Sequence, residues 1–215
     1  MKYIESAIVD NALSYPAYVD LMNQLTAEGK TTGPKQSESL INFTKLNTRR
    51  MARVYKTLKL PTDISARLER IDIPMVWLVI TESWCGDAAQ TVPVFERMAQ
   101  LIGDVEVKFI LRDEHPAIMD AFLTNGARSI PKVIFLKKDN NEVLGAWGPR
   151  PELLHKMVLE NKEVRLRETD AEKRSAMYEA FSVVLQKWYN SDKGLSTLKE
   201  FLEALEASLN VVEID

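Results

Sequence analysis

The chain has 215 residues, 46% of them hydrophobic and 27% charged, with 28 basic against 31 acidic side chains, a formal net charge of -3, two histidines and a single cysteine, Cys85. One cysteine excludes an intramolecular disulfide, a cysteine-rich zinc site and an iron-sulfur cluster held by one chain, so any metal site would have to rest on carboxylates and none is expected. The slight acidic surplus argues against nucleic acid as a partner, because neutralising phosphates needs a clear basic excess.

At the N-terminus, Lys2, Glu5 and Asp10 interrupt the hydrophobes, so no signal-peptide core is read. No run approaches the roughly 18 apolar residues of a membrane span, and a cytoplasmic protein without membrane contact is the expectation. The length suits one domain, or one with substantial additions. The first seventy residues read as helices. Pro16 opens a first turn, Tyr18, Leu21, Met22 and Leu25 share one face, and the pattern stops at Gly29. Thr31, Thr32, Gly33 and Pro34 break the chain before a longer apolar stripe through Leu40, Phe43, Met51, Val54 and Leu58. That helix also carries Lys45, Arg49, Arg53 and Lys56 every three or four residues, a solvated basic face or a seat for an acidic partner. A short helix with Ile64 and Leu68 leads to Pro74.

There the period changes. Met75 to Ile80 is an unbroken apolar run of strand length, the signature of a strand covered on both faces. A helix with Val94, Phe95, Met98 and Leu101 follows, then alternating Val105, Val107 and Phe109, then a helix with Ile118, Met119 and Phe122. His115, before Pro116, reads as the opening of that last helix. Strands at 133–136 and 143–147 flank the turn Asp139-Asn140-Asn141, and a helix with Leu153, Leu154, His155, Met157 and Val158 closes the series. The order is β-α-β-α-β-β-α, an α/β fold with a mixed central sheet. The last fifty residues carry two helical stripes, Met177 to Trp188 and Leu195 to Leu209. They predict a helical hairpin packed on the domain, or a surface for homo-oligomers.

Cys85 lies in Trp84-Cys85-Gly86-Asp87, between the first core strand and the next helix. Backbone amides and the dipole at a helix start favour thiolate over thiol, lowering the pKa from about 8.5, and the position favours an exposed sulfur. Asp87 opposes that by adding an anion, and the sequence leaves the balance open. Glu82 is the nearest other carboxylate for tuning the thiol, its plain alternative being exposed loop. Arg150 is placed at a rim, and His155 has no reason in the sequence to lie near Cys85.

Around Cys85 the chain resembles the thioredoxin superfamily, whose fold is the order just read and whose active site is Trp-Cys-Gly-Pro-Cys at the first strand-to-helix junction. Trp84, Cys85 and Gly86 match that motif, and Pro93 falls where the family has a proline in the active-site helix. Ser129-Ile130-Pro131, just before a strand, matches the family's Ile-Pro, whose proline is cis and faces the cysteine across a substrate groove. Gly148 matches a family glycine after the final strand. The likeness covers roughly 71–160 and implies a thioredoxin-like domain at 71–162, with a helical extension at 1–70 and a helical hairpin at 163–215.

The departures are informative as well. Ala88 stands where the family has its resolving cysteine, and Val79 where typical members bury an aspartate that serves that cysteine. The internal dithiol cycle is therefore closed to this chain. What the resemblance still implies is monothiol redox chemistry at Cys85, forming mixed disulfides with protein or small-molecule partners. Glutathione is a possible thiol substrate, and no cofactor is implied. Trp84, Gly86, Asp87, Ser129, Ile130 and Pro131 would line the groove, and a cis Pro131 would leave the Ile130 backbone free to pair with a peptide. The competing expectation is a redox-inactive module that binds a protein partner through the groove or the added helices.

Overall fold

The computed structural model of the chain describes residues 1–210. Its centre is β2 (Met75–Thr81), buried along its whole length as the unbroken apolar run requires. It pairs in parallel with β3 (Val105–Leu111) and antiparallel with β4 (Lys132–Lys137), which in turn pairs antiparallel with β5 (Val143–Trp147). An edge strand, β1 (Leu13–Ser14), adds to β3 and completes the sheet order β1-β3-β2-β4-β5. This corrects the wholly helical reading of the first seventy residues. Two residues are too few to show a period, and Ser14 also caps the next helix.

The helices before the sheet centre are α1 (Ser6–Asn11), α2 (Tyr15–Glu28), α3 (Glu38–Thr57) and α4 (Thr62–Leu68). Ser14 Oγ accepts from Ala17 N at 3.4 Å to start α2, and Gly29, at φ 64°, ends it in the left-handed conformation that glycine adopts freely. Between the strands run α5 (Ala88–Ala99), which holds Pro93 in its interior, and α6 (Pro116–Ala121). After β5 come α7 (Glu152–Arg167), α8 (Ala171–Asp192) and α9 (Leu195–Asn210).

The last three helices do not take the roles their order suggests. Only Leu154 of α7 and Tyr189 of α8 are buried, and these two helices pack chiefly on each other. The helix that covers the sheet is α9. Its Phe201 is fully buried, with ring centroids 4.8 Å from Trp77, 4.8 Å from Phe95, 5.2 Å from Phe135 and 5.8 Å from Trp147. Burying such a side chain stabilises by roughly 1.5–3 kcal/mol. Gly145 permits the approach, since a Cβ there would sit 2.0 Å from Ser208 Oγ of α9. The closing helix of the domain is therefore α9, and α7 with α8 forms the hairpin. Tyr18, Met51 and Leu68 share one core with β2 and with Leu198 and Leu205, so that core runs across residues 70 and 162.

Candidate functional site

The segment from Glu82 to Asp87 joins β2 to α5, and the N-terminal helices hold it in place. Ser83 is fully buried and donates its N–H to Thr32 Oγ1 at 2.9 Å, while its Oγ accepts from Thr32 N at 3.0 Å. Thr31 and Thr44 hydroxyls lie 3.0 and 2.8 Å from the same oxygen, and Asn47 Nδ2 donates to Ser83 O at 3.0 Å. The breaker cluster after α2 thus supplies the polar partners that a buried turn needs.

Glu82 is also fully buried, which corrects the exposed-loop reading. Thr32 Oγ1 donates to its Oε2 and Asp113 N to its Oε1 at 2.9 Å. Burial raises its carboxyl above the usual range, an effect the Thr32 and Asp113 hydrogen bonds partly offset.

Cys85 stands just before α5, facing its N-terminus, but is only 7% exposed. Its Sγ donates to Ile130 O at 3.2 Å and accepts from Ala88 N at 3.5 Å. Burial, and then the charge of Asp87, push the thiol up to about 12, while the Ala88 amide and Arg150 pull it down. The expected helix-start effect is therefore present and outweighed, which corrects the expectation of an exposed, ionised sulfur.

Pro131 follows in a cis peptide after Ile130. The Ile130 carbonyl is occupied by the Cys85 thiol rather than left free for a peptide. Gly148, at φ 117°, backs onto this loop so closely that a Cβ would lie 2.4 Å from Pro131 O, and only glycine fits. Ser129 is half-buried, its N–H donating to Ala127 O at 2.8 Å. Trp84 is half-buried too, with the Arg112 guanidinium 4.8 Å from its ring centroid. Gly86 faces α3, where Arg50 Nη1 lies 3.9 Å from the position a Cβ would take.

Asp87 is the hub of a network that the sequence did not reveal. Its Oδ2 accepts from Arg150 Nε at 2.8 Å and Nη2 at 2.6 Å, and its Oδ1 from the Tyr189 hydroxyl at 2.7 Å. Arg150 Nη1 also lies 3.1 Å from His155 Nδ1, and burial and then the Arg150 charge lower the His155 pKa. Arg150 is thus largely covered and bonded to the motif rather than at a rim, and it brings His155 within two contacts of Asp87. Lys132, next to Pro131, is a further buried group that sequence reasoning missed. Its ammonium donates to Thr124 Oγ1 at 2.7 Å and Gly148 O at 2.9 Å, and burial lowers its pKa to about 8. Of the basic stripe on α3, all four side chains are exposed, and Arg53 donates to Asn190 Oδ1 of α8 at 2.6 Å. Among the described residues no group of three His, Cys, Asp or Glu side chains could hold a metal ion, and no helix is long and apolar enough to cross a membrane.

A sheet of order β1-β3-β2-β4-β5, a cysteine at the β2–α5 junction and a cis-proline loop opposite it define a thioredoxin-like protein. A family model described as thioredoxin matches residues 33–174, well over half of the chain. The chain belongs to the thioredoxin family. No curated protein matches it at significance. Among solved structures it is similar to a protein of unknown function from Pseudomonas aeruginosa, at 16% identity and a TM-score of 0.56, over 93% of this chain and 95% of that one. It is similar also to an HIV epitope-scaffold, at 17% identity and a TM-score of 0.56, over 94% of this chain and 97% of that one. At such identities the likeness is one of fold.

Proposed function

We propose that this chain carries out cytoplasmic thiol-based redox chemistry through Cys85 alone, forming mixed disulfides with protein or glutathione. The observation that supports this most is the seat of the sulfur. Sγ lies at the N-terminus of α5 with the Ala88 amide directed at it, 3.2 Å from the carbonyl that precedes the cis Pro131. In the step proposed, the Cys85 thiolate attacks one sulfur of a disulfide. A new S–S bond forms, the old one breaks, and the leaving thiolate takes up a proton from water. With Ala88 beside it there is no internal thiol to release the product, so a second thiol from solution attacks the mixed disulfide and restores Cys85.

Burial of Cys85 favours a second reading, a redox-inactive module that kept the fold and binds a protein partner. Incubation with oxidised glutathione separates the two. Monothiol chemistry gives one glutathione per chain by intact mass, located at Cys85, removed by added thiol and missing in Cys85→Ser. A chain that stays unmodified through prolonged incubation belongs to the second reading.

A further inference from the structure

The hairpin of α7 and α8 is the least integrated part of the described fold, and it is tied down beside Cys85. Along 22 residues α8 buries only Tyr189, and Tyr178, Val183 and Val184 stay 45–53% exposed. Three polar contacts tie α8 to the domain. Tyr189 donates to Asp87 at 2.7 Å, Gln90 Nε2 to Gln186 Oε1 at 3.0 Å, and Arg53 to Asn190 Oδ1 at 2.6 Å. Beneath its C-terminal end lies a cleft of about 680 Å³ lined by Arg53, Gln90, Tyr189 and Lys193, so the seat is not close-packed. Tyr178 and Tyr189 are eleven residues apart, three helical turns, and therefore share a face. At one end of that face Tyr189 reaches Asp87 of the motif, and at the other Tyr178 lies across a cleft from Phe43 and Leu46 of α3. A segment with few apolar contacts and a handful of partly hydrated hydrogen bonds opens locally at far lower cost than the core.

We infer that α8 is an autoinhibitory strap, latched by Tyr189 on Asp87, and that Cys85 becomes accessible when the strap lifts while the sheet and α9 stay folded. The inference rests on Cys85 being the reacting atom. With Tyr189 on Asp87, two residues from the cysteine, the thiol is 7% exposed and bonded to Ile130 O. With the strap up, Asp87 keeps Arg150 as its partner, so the motif itself remains ordered.

The test is the rate of Cys85 modification by a disulfide reagent, dithiobis-nitrobenzoate, in the full chain at neutral pH. Wild type is compared with Tyr189→Phe, which removes one hydroxyl, and with Gln186→Ala, which touches nothing in the motif. Loss of a hydrogen bond to a charged acceptor should raise the modification rate about tenfold in Tyr189→Phe, with a smaller rise in Gln186→Ala. Low urea separates strap opening from global unfolding. Release of one helix exposes little surface and gives a shallow urea dependence, whereas unfolding gives the full slope. Wild-type rates in both variants would overturn the strap, as would faster rates that carry the full urea dependence of unfolding. Faster modification of Tyr189→Phe, with no glutathione adduct from oxidised glutathione, would keep the strap and remove the mixed-disulfide function. An adduct on wild type with no effect of either variant would do the reverse.

Discussion

Asp87 and Arg150, 63 residues apart, form a two-point ion pair at 2.8 and 2.6 Å with side chains only 13% and 12% exposed. The pair fixes the loop after β5 against the start of α5, and so sets one wall around Cys85. A nearly buried ion pair adds little over an apolar contact when intact, but removing one partner leaves the other charge stranded.

Arg150→Met should therefore destabilise the fold by about 3 kcal/mol in urea unfolding, and Asp87→Leu by a similar amount. The double variant should cost clearly less than the sum of the two, because neither charge is then left alone. Additive losses would show that the pair is not coupled as its geometry requires.

The carboxyl of Glu82 sits above its ordinary range because it is buried. A group whose folded pKa is raised contributes stability below its unfolded pKa and loses it as pH rises through the folded value. Glu82→Gln should thus gain stability relative to wild type between pH 4 and pH 8, measured by urea unfolding at both. A difference that does not change with pH would contradict the assignment.

Phe201 and Leu166 test which helix belongs to the core. Phe201 touches four aromatic rings of the core, while Leu166 of α7 is 67% exposed. Phe201→Ala should cost about 3–5 kcal/mol, and Leu166→Ala about 0.5 kcal/mol or less. Comparable losses would return α7 to the core.

The parts of this protein legible in its sequence are those with a period or a local motif. Met75 to Ile80, the turn at Gly29, the Asp139 to Asn141 hairpin and the Cys85 junction all declare themselves within a few residues. Which late helix closes the sheet does not. Leu154, Met157 and Val158 make as good a stripe as Leu198, Phe201 and Leu202, and only the aromatic cluster around Phe201 distinguishes them. The state of the thiol was hidden for a similar reason. Its environment comes in part from Ile130 and Arg150, which are 45 and 65 positions away along the chain. Glu82 followed the same pattern, since its burial depends on Thr32, fifty residues upstream. One signal was available: Arg150, just after the last strand, falls at the motif's end of the sheet.

Ala88 is buried directly after Asp87, with its amide 3.5 Å from Cys85 Sγ. Wild type should show no dithiol turnover in an insulin-reduction assay, having no resolving thiol. Ala88→Cys should gain measurable turnover, because it places a second sulfur at the same helix turn. Turnover by wild type would mean that release does not need an internal thiol. A silent variant that forms no internal disulfide would mean that the groove cannot support exchange.

The central claim is that Cys85 is a reactive position held silent by burial, despite its seat at a helix start. The most direct measurement is the rate of iodoacetamide alkylation of native Cys85 between pH 6 and pH 11, with folding followed in parallel. A thiol pushed up to about 12 should alkylate far more slowly than free cysteine at neutral pH, with a rate still climbing at the top of that range. A rate that levels off at or below the ordinary cysteine value of about 8.5 would contradict it, since the helix start would then outweigh the burial.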